Sequence, residues 1–145
     1  MCFSGEADWT AEIFHEEVAP NDRPRRCDDC RRDIAVGETC RRMYWRQYEE
    51  CRNCSDDAPC ADDEHSFGQE EEMWHCTECM RFFEAIRAAE EAEGCHGAEA
   101  TPVIGMLLDE LSEVGIDNRR RYVAKAREMF PDLPEAYLAR MLMED

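Results

Sequence analysis

Three pairs of cysteines at a metal-binding spacing are the strongest chemical signal in the sequence. Ten of the 145 residues are cysteines, and the Cys-x-x-Cys pairs are Cys27/Cys30, Cys51/Cys54 and Cys76/Cys79. Two cysteines at this spacing can present both thiolates to one tetrahedral ion, which is typical of zinc sites. No strand–helix–strand pattern surrounds the pairs, which argues against a thioredoxin-like redox motif. The spacing therefore predicts bound zinc.

Two further side chains lie between the second and third pairs and complete a set of eight candidate ligands. In chain order the set is Cys27, Cys30, Cys51, Cys54, Cys60, His65, Cys76 and Cys79. Eight ligands can hold two four-coordinate zinc ions with no position left open for water, which is typical of structural rather than catalytic zinc. Closing such sites can stabilise a small fold by about 10 kcal/mol.

The spacing leaves three ways to divide these ligands between two ions. A sequential division joins the first and second pairs on one ion. A cross-brace joins the first pair to Cys60 and His65, and the second pair to the third. The third division joins the first and third pairs, and the segment between them holds the second ion. All three divisions predict the same eight ligands.

The remaining sequence predicts an α+β fold, in which a small zinc module of hairpin and helix carries a helical tail. Three parts are predicted. Residues 1–22 form an acidic segment with a short helix over 7–18, residues 23–96 form the zinc module, and residues 97–145 form the helical tail. Aromatic residues predict a strand over Cys40–Tyr48 after a turn at Gly37.

Apolar residues at helical spacing predict four helices in the second half of the chain. They cover residues 77–93, 102–114, 118–130 and 133–143. Asp132-x-x-Glu135 has the form of a capping box for the last of them. The acidic stretch 55–72 predicts a solvated loop. Cys40 and Cys95 are expected to be core cysteines, and His75 to flank the metal site.

The order of the ligands resembles the cross-brace modules of the RING, PHD and FYVE group. A second resemblance covers residues 25–115 and rests on Cys27-Asp28-Asp29-Cys30, Trp74-His75-Cys76-x2-Cys79, Gly94-Cys95 and Gly105-Met106-Leu107. These motifs are similar to those of uncharacterised treble-clef-like zinc proteins encoded by phages and prophages. The resemblance implies that one zinc is bound by Cys27, Cys30, Cys76 and Cys79.

The net charge of the chain and the absence of catalytic motifs limit the functions to be expected. Acidic residues outnumber basic ones 35 to 17, for a net charge of −18. No phosphate-binding glycine loop and no His-Glu-x-x-His motif occurs, so we expect a protein that is not an enzyme. A protein-interaction module with a basic partner is the main prediction, for example a phage-encoded acidic inhibitor or adaptor of host machinery.

Nucleic-acid binding is the alternative function, and it depends on one basic segment. Residues 23–52 carry nine arginines with Tyr44, Trp45 and Tyr48 among them, which could follow a phosphate backbone. These arginines could instead pair with the acidic residues of 53–113.

The expected compartment is the cytoplasm, where disulfides are rare. The first eighteen residues are acidic and lack the apolar core of a secretory signal. No run of residues approaches the ~20 apolar residues of a membrane-spanning helix, so no membrane partner is expected.

Overall fold

A computed structural model of the chain describes residues 11–48, 67–96, 102 and 105–143. The fold is α+β, as the sequence predicts. Its elements in chain order are β1 (Ala11–Pro20), β2 (Arg25–Arg26), β3 (Asp33–Ile34), β4 (Thr39–Tyr48), β5 (Phe67–Cys76), α1 (Thr77–Ala92), α2 (Leu107–Glu113), α3 (Ile116–Met129) and α4 (Glu135–Leu142).

The strands form two antiparallel sheets. The larger sheet has the order β1-β4-β5, and β2 pairs with β3 in a short hairpin. The predicted strand over Cys40–Tyr48 is confirmed as β4, which follows a turn where Gly37 has a φ of +88°. In the β4–β5 register Cys40 lies opposite Cys76 at one end and Tyr48 opposite Phe67 at the other. The base of this hairpin leads directly into α1.

The predicted short helix over 7–18 is wrong for the described part, because residues 11–20 form strand β1. The apolar spacing of Ile13, Phe14 and Val18 fits a helix, but β1 is paired along its length with β4. Val18 is 53% exposed and contributes nothing to a buried helix face. Pairing with a long neighbouring strand therefore overrides the local helical pattern.

The predicted acidic loop over 55–72 is also wrong in its last part, because β5 begins at Phe67. Three consecutive glutamates lie in this strand, opposite Tyr44, Trp45 and Arg46 of β4. Arg42 of β4 donates a hydrogen bond to the Glu72 carboxylate. The Arg42 guanidinium thus compensates the Glu72 carboxylate, which the sequence assigns to a solvated loop.

The four predicted helices are present, with two differences at their ends. The second starts at Leu107 instead of 102, because Gly105 takes a φ of +90° and interrupts a helix there. The capping box predicted for the fourth helix is wrong. Asp132 instead accepts a hydrogen bond from Arg81 at 2.6 Å, and Glu135 accepts one from Arg127.

One hydrophobic core joins the cysteine-rich segment to the helical tail. It includes Phe82 and Ile86 of α1 together with Leu111, Val123 and Leu138 of the tail. The long helix α1 packs mainly against α3. The tail is therefore part of the same packed body as the cysteine-rich segment, and the domain boundaries at 22/23 and 96/97 stay predictions.

A buried carboxylate connects α1 to α3. Glu90 is fully buried and accepts hydrogen bonds from the Tyr122 hydroxyl and, at 2.7 Å, from Arg121. Arg121 also donates to the carbonyl oxygen of Ala89 at 2.9 Å. Each polar group of this contact has a partner, and removal of the Glu90 carboxylate takes an acceptor from the buried Tyr122 hydroxyl, whereas Arg121 keeps the Ala89 carbonyl.

We expect Glu90→Ala to lower the free energy of unfolding by about 1–3 kcal/mol, since it removes the buried carboxylate that accepts hydrogen bonds from Arg121 and Tyr122. Urea unfolding at constant zinc concentration measures this. Glu91→Ala changes an exposed neighbour on the same helix and should stay within about 0.5 kcal/mol of the wild type. Equal losses in the two variants would contradict the role of the buried carboxylate.

Candidate metal centre

The first cysteine pair lies in the tight turn between β2 and β3. The Cys27 amide donates to the Arg32 carbonyl, and the Arg31 amide donates to the Cys27 carbonyl, each at 2.8 Å. Arg31 takes a φ of +61°, a left-handed conformation that glycine adopts more readily. The turn brings the thiols of Cys27 and Cys30 to the same side of the hairpin.

The second pair lies where β5 meets α1. Cys76 is the last residue of β5 and the N-cap of α1, and Cys79 is in the first turn of that helix. The positive end of the helix dipole favours thiolates at such positions. The Asp28 carboxylate accepts the Trp74 amide at 2.7 Å, and the Asp28 amide donates to the Trp74 carbonyl at 2.9 Å. These two bonds hold the first turn against β5.

The four sulfur atoms form a compact buried cluster with tetrahedral spacing. All four Sγ atoms lie within 4.8 Å of one another. The Sγ–Sγ distances are 3.7 Å for Cys27–Cys79 and 3.7 Å for Cys30–Cys76. Four sulfurs bound at ~2.3 Å to a central zinc ion would lie about 3.8 Å apart. The cluster therefore has the dimensions of a tetrahedral zinc site, and the side chains fit that ion.

The electrostatics of the cluster also favour a cation. Hydrogen bonds with the thiols of Cys30, Cys76 and Cys79 lower the pKa of Cys27. The hydrogen bond with Cys27 in turn raises the pKa of Cys79 far above its ordinary value. All four buried sulfurs can thus be thiolates together only if a positive ion lies between them.

A buried ion pair stands beside the cluster. His75 and Asp29 are both buried, and Nδ1 of His75 pairs with the Asp29 carboxylate. An imidazole nitrogen of His75 lies within 4.8 Å of the Cys27 sulfur. Burial lowers the pKa of His75, but its hydrogen bonds to Asp29 and Cys27 raise it to about 9.

Asp29 also fixes the start of helix α2. Its Oδ1 accepts hydrogen bonds from the amides of Gly105 at 2.7 Å and Leu107 at 3.4 Å. A residue inside the first cysteine pair therefore caps a helix 78 residues away in sequence. Together with the left-handed conformation of Gly105, this contact sets the start of α2 at Leu107, and sequence periodicity does not indicate the contact.

Helix α4 touches the cluster directly. The buried hydroxyl of Tyr137 donates to the sulfur of Cys79 at 3.1 Å, and Arg140 donates to the carbonyl oxygen of Cys30. Burial raises the pKa of Tyr137 well above its ordinary value, so this hydroxyl keeps its proton and acts as a donor. Sequence analysis missed both residues, because their spacing is that of an ordinary amphipathic helix.

The structure brings together four of the eight predicted ligands. Cys27, Cys30, Cys76 and Cys79 form the cluster, which corresponds to the third division of the ligands and not to the sequential or cross-brace ones. The other four predicted ligands lie outside the described residues and are Cys51, Cys54, Cys60 and His65.

Two other cysteines are buried but do not belong to this cluster. The Cys40 thiol donates to the Ala19 carbonyl at 3.7 Å, and burial raises its pKa. It is a core cysteine, as expected. Cys95 is also buried, but it is disulfide-bonded. The expectation of reduced cysteines therefore does not hold for Cys95.

The basic segment of the chain is charge-compensated where its side chains are described. Every arginine from Arg23 to Arg42 lies within 4 Å of a carboxylate. The partners come from residues 1–22 and from the basic segment itself as well as from 53–113, and they are Glu16, Asp22, Asp33, Glu38, Glu72, Glu78 and Asp109. The expectation that the acids of 53–113 supply the partners is thus correct only in part.

We expect Arg31→Gly to raise the free energy of unfolding by up to about 1 kcal/mol, because glycine adopts the left-handed conformation without steric cost. Arg31→Val should lower it by about 1 kcal/mol or more. The exposed ion pair of Arg31 with Asp109 adds little to either result. Urea unfolding at constant zinc measures both, and two variants of equal stability would contradict a strained turn.

Comparison of the chain with protein-family models, curated proteins and solved structures found no match. The resemblance to phage and prophage zinc proteins therefore stays a prediction. Among the described residues, no helix combines the length and the apolar character needed to cross a membrane. The metal centre is thus defined by its own geometry.

Proposed function

We propose that the protein is a non-catalytic, zinc-stabilised module whose task is to bind another protein. The observation that carries this proposal is the closed four-cysteine cluster, in which every cysteine is 0% exposed. A zinc ion bound by four thiolates has no position for water or substrate. Its role is then to hold the hairpins, α1 and the tail together, and recognition takes place on the surface that they form.

A protein partner is favoured over nucleic acid by the charge distribution. The chain has a net charge of −18, and the arginines from Arg23 to Arg42 are already close to carboxylates. A polyanion would have to compete with these carboxylates and to approach an acidic protein. A basic protein surface would not have to compete with these carboxylates, and the net negative charge of the chain would attract it.

The resemblance to phage proteins extends this proposal to an acidic inhibitor or adaptor of host machinery. A phage gains from a small rigid protein that occupies a basic surface on a host protein. The high negative charge supports this, since it steers such a protein towards basic partners.

We expect labelled duplex and single-stranded DNA to bind only weakly, with a dissociation constant above ~10⁻⁴ M at physiological salt. Fluorescence anisotropy at about 50 and 200 mM salt measures both the affinity and its salt dependence. A dissociation constant below ~10⁻⁶ M with a steep salt dependence would make nucleic-acid binding the function instead.

We also propose a second zinc ion in the connection between β4 and β5. Tyr48 and Phe67, which flank this connection, are Cα partners, and the four remaining candidate ligands lie between them in sequence. A connection whose two ends are paired favours ligands that share one ion. The four-cysteine cluster lies at the opposite end of the hairpin, eight residues or ~27 Å along β4. Two ions at this separation would bind independently.

Native mass spectrometry should therefore detect two zinc ions in the wild-type protein. Cys54→Ser should lose one zinc and keep a cooperatively folded core. Cys79→Ser should also lose one zinc, and its core should unfold at a lower urea concentration. Cys40→Ser, which changes a buried cysteine outside the cluster, should keep both ions.

One zinc in the wild type would contradict the second site and leave the first intact. Protein with no zinc, purified without chelator, would contradict the proposed function itself. Equal stability of Cys54→Ser and Cys79→Ser would contradict the structural role given to the four-cysteine cluster.

A further inference from the structure

The helical tail supplies two polar contacts to the two halves of the metal centre. From helix α4, Tyr137 donates to the sulfur of Cys79 at 3.1 Å, and Arg140 donates to the carbonyl oxygen of Cys30. One contact is thus made to each cysteine pair. Tyr137 lies 58 residues beyond Cys79 in the chain, so these contacts exist only when the tail is docked.

A divalent ion bound by four buried thiolates needs hydrogen-bond donors around it. Four thiolates around one divalent ion keep a net negative charge, and the protein buries that charge away from water. Within the described residues, the Cys76 amide donates to the Cys27 sulfur at 3.4 Å. The Tyr137 hydroxyl is a second donor, on the opposite cysteine pair. Such outer contacts change metal affinity in other centres by about 10–100-fold.

The position of the Tyr137 hydroxyl is fixed by packing. The Tyr137 ring meets Phe82 of α1 edge-on, with 6.0 Å between the ring centroids. Leu138 and Met141 of the same helix are buried in the common core. The donor is therefore held in place by α4 as a whole, and movement of α4 away from the core would remove it from the sulfur.

We propose that helix α4 is the outer coordination shell of the metal centre and controls how fast the metal leaves. This inference rests on the proposed metal-binding function. With α4 docked, Tyr137 stabilises the Cys79 thiolate and the helix covers the cluster. Release of the metal then requires α4 to undock, so that metal exchange and tail docking are coupled.

The chain offers a matched control for this proposal. Tyr122 is also a buried tyrosine of the tail, and its hydroxyl donates to a residue of α1, the Glu90 carboxylate. It does not belong to the metal cluster. Tyr122→Phe and Tyr137→Phe thus remove the same atom from two buried contacts between the tail and α1, and only the second contact reaches a sulfur.

The experiment uses the full chain loaded with zinc or with Co²⁺. Transfer of zinc to a chromogenic chelator measures metal release, and the thiolate-to-cobalt charge-transfer bands report on the bound sulfurs. Tyr137→Phe should release zinc about 10–100-fold faster and shift the cobalt bands. Tyr122→Phe should lose stability but keep the wild-type bands, and its release rate should change far less.

Equal release rates and unchanged bands in Tyr137→Phe would overturn the proposal. A wild-type protein that binds neither metal would instead overturn the proposed function, so the two failures are distinguishable. Should Tyr137→Phe not fold, Arg140→Gln tests the same helix by its contact with the Cys30 carbonyl. Faster release in Arg140→Gln supports the proposal, and a wild-type rate overturns it.

Discussion

The structure depends on placing four sulfur atoms in a buried tetrahedron. Two of them come from a tight turn and two from the junction of β5 with α1, so neither pair makes a site alone. Because buried thiolates repel one another, four of them can be accommodated together only with a cation between them. A metal ion at this position would link the β2–β3 hairpin to β5 and α1.

Hydrogen-bond donors and a buried ion pair lie around this cluster. Tyr137 and an amide of β5 donate to sulfurs, and His75 stands beside Cys27 in an ion pair with Asp29. Asp29 in turn accepts amides at the start of α2. Asp29 and Tyr137 thus connect the cysteine cluster to helices α2 and α4 of the tail, and these contacts are the basis for the proposed coupling of tail docking to metal binding.

Many charged side chains on the surface are paired with one another. The basic segment resembles a nucleic-acid-binding face in sequence, but its arginines from Arg23 to Arg42 lie beside carboxylates. Surface pairs of this kind add little stability. They do reduce the positive potential that a phosphate backbone would meet, which supports the proposal of a protein partner.

The sequence by itself determined the α+β class, the four helices, strand β4 and the candidate ligands, because apolar periodicity and Cys-x-x-Cys spacing are local properties. It left the division of the ligands open, since cysteine spacing does not encode which distant pairs meet. It also failed at β1, at the start of α2 and at the cap of α4. Those features depend on partners far away in the chain, namely β4 for β1, Asp29 for α2, and Arg81 and Arg127 for the carboxylates expected to cap α4. Only the tertiary structure brings such partners together, and for the same reason it alone identified Tyr137 and Arg140 as neighbours of the metal centre.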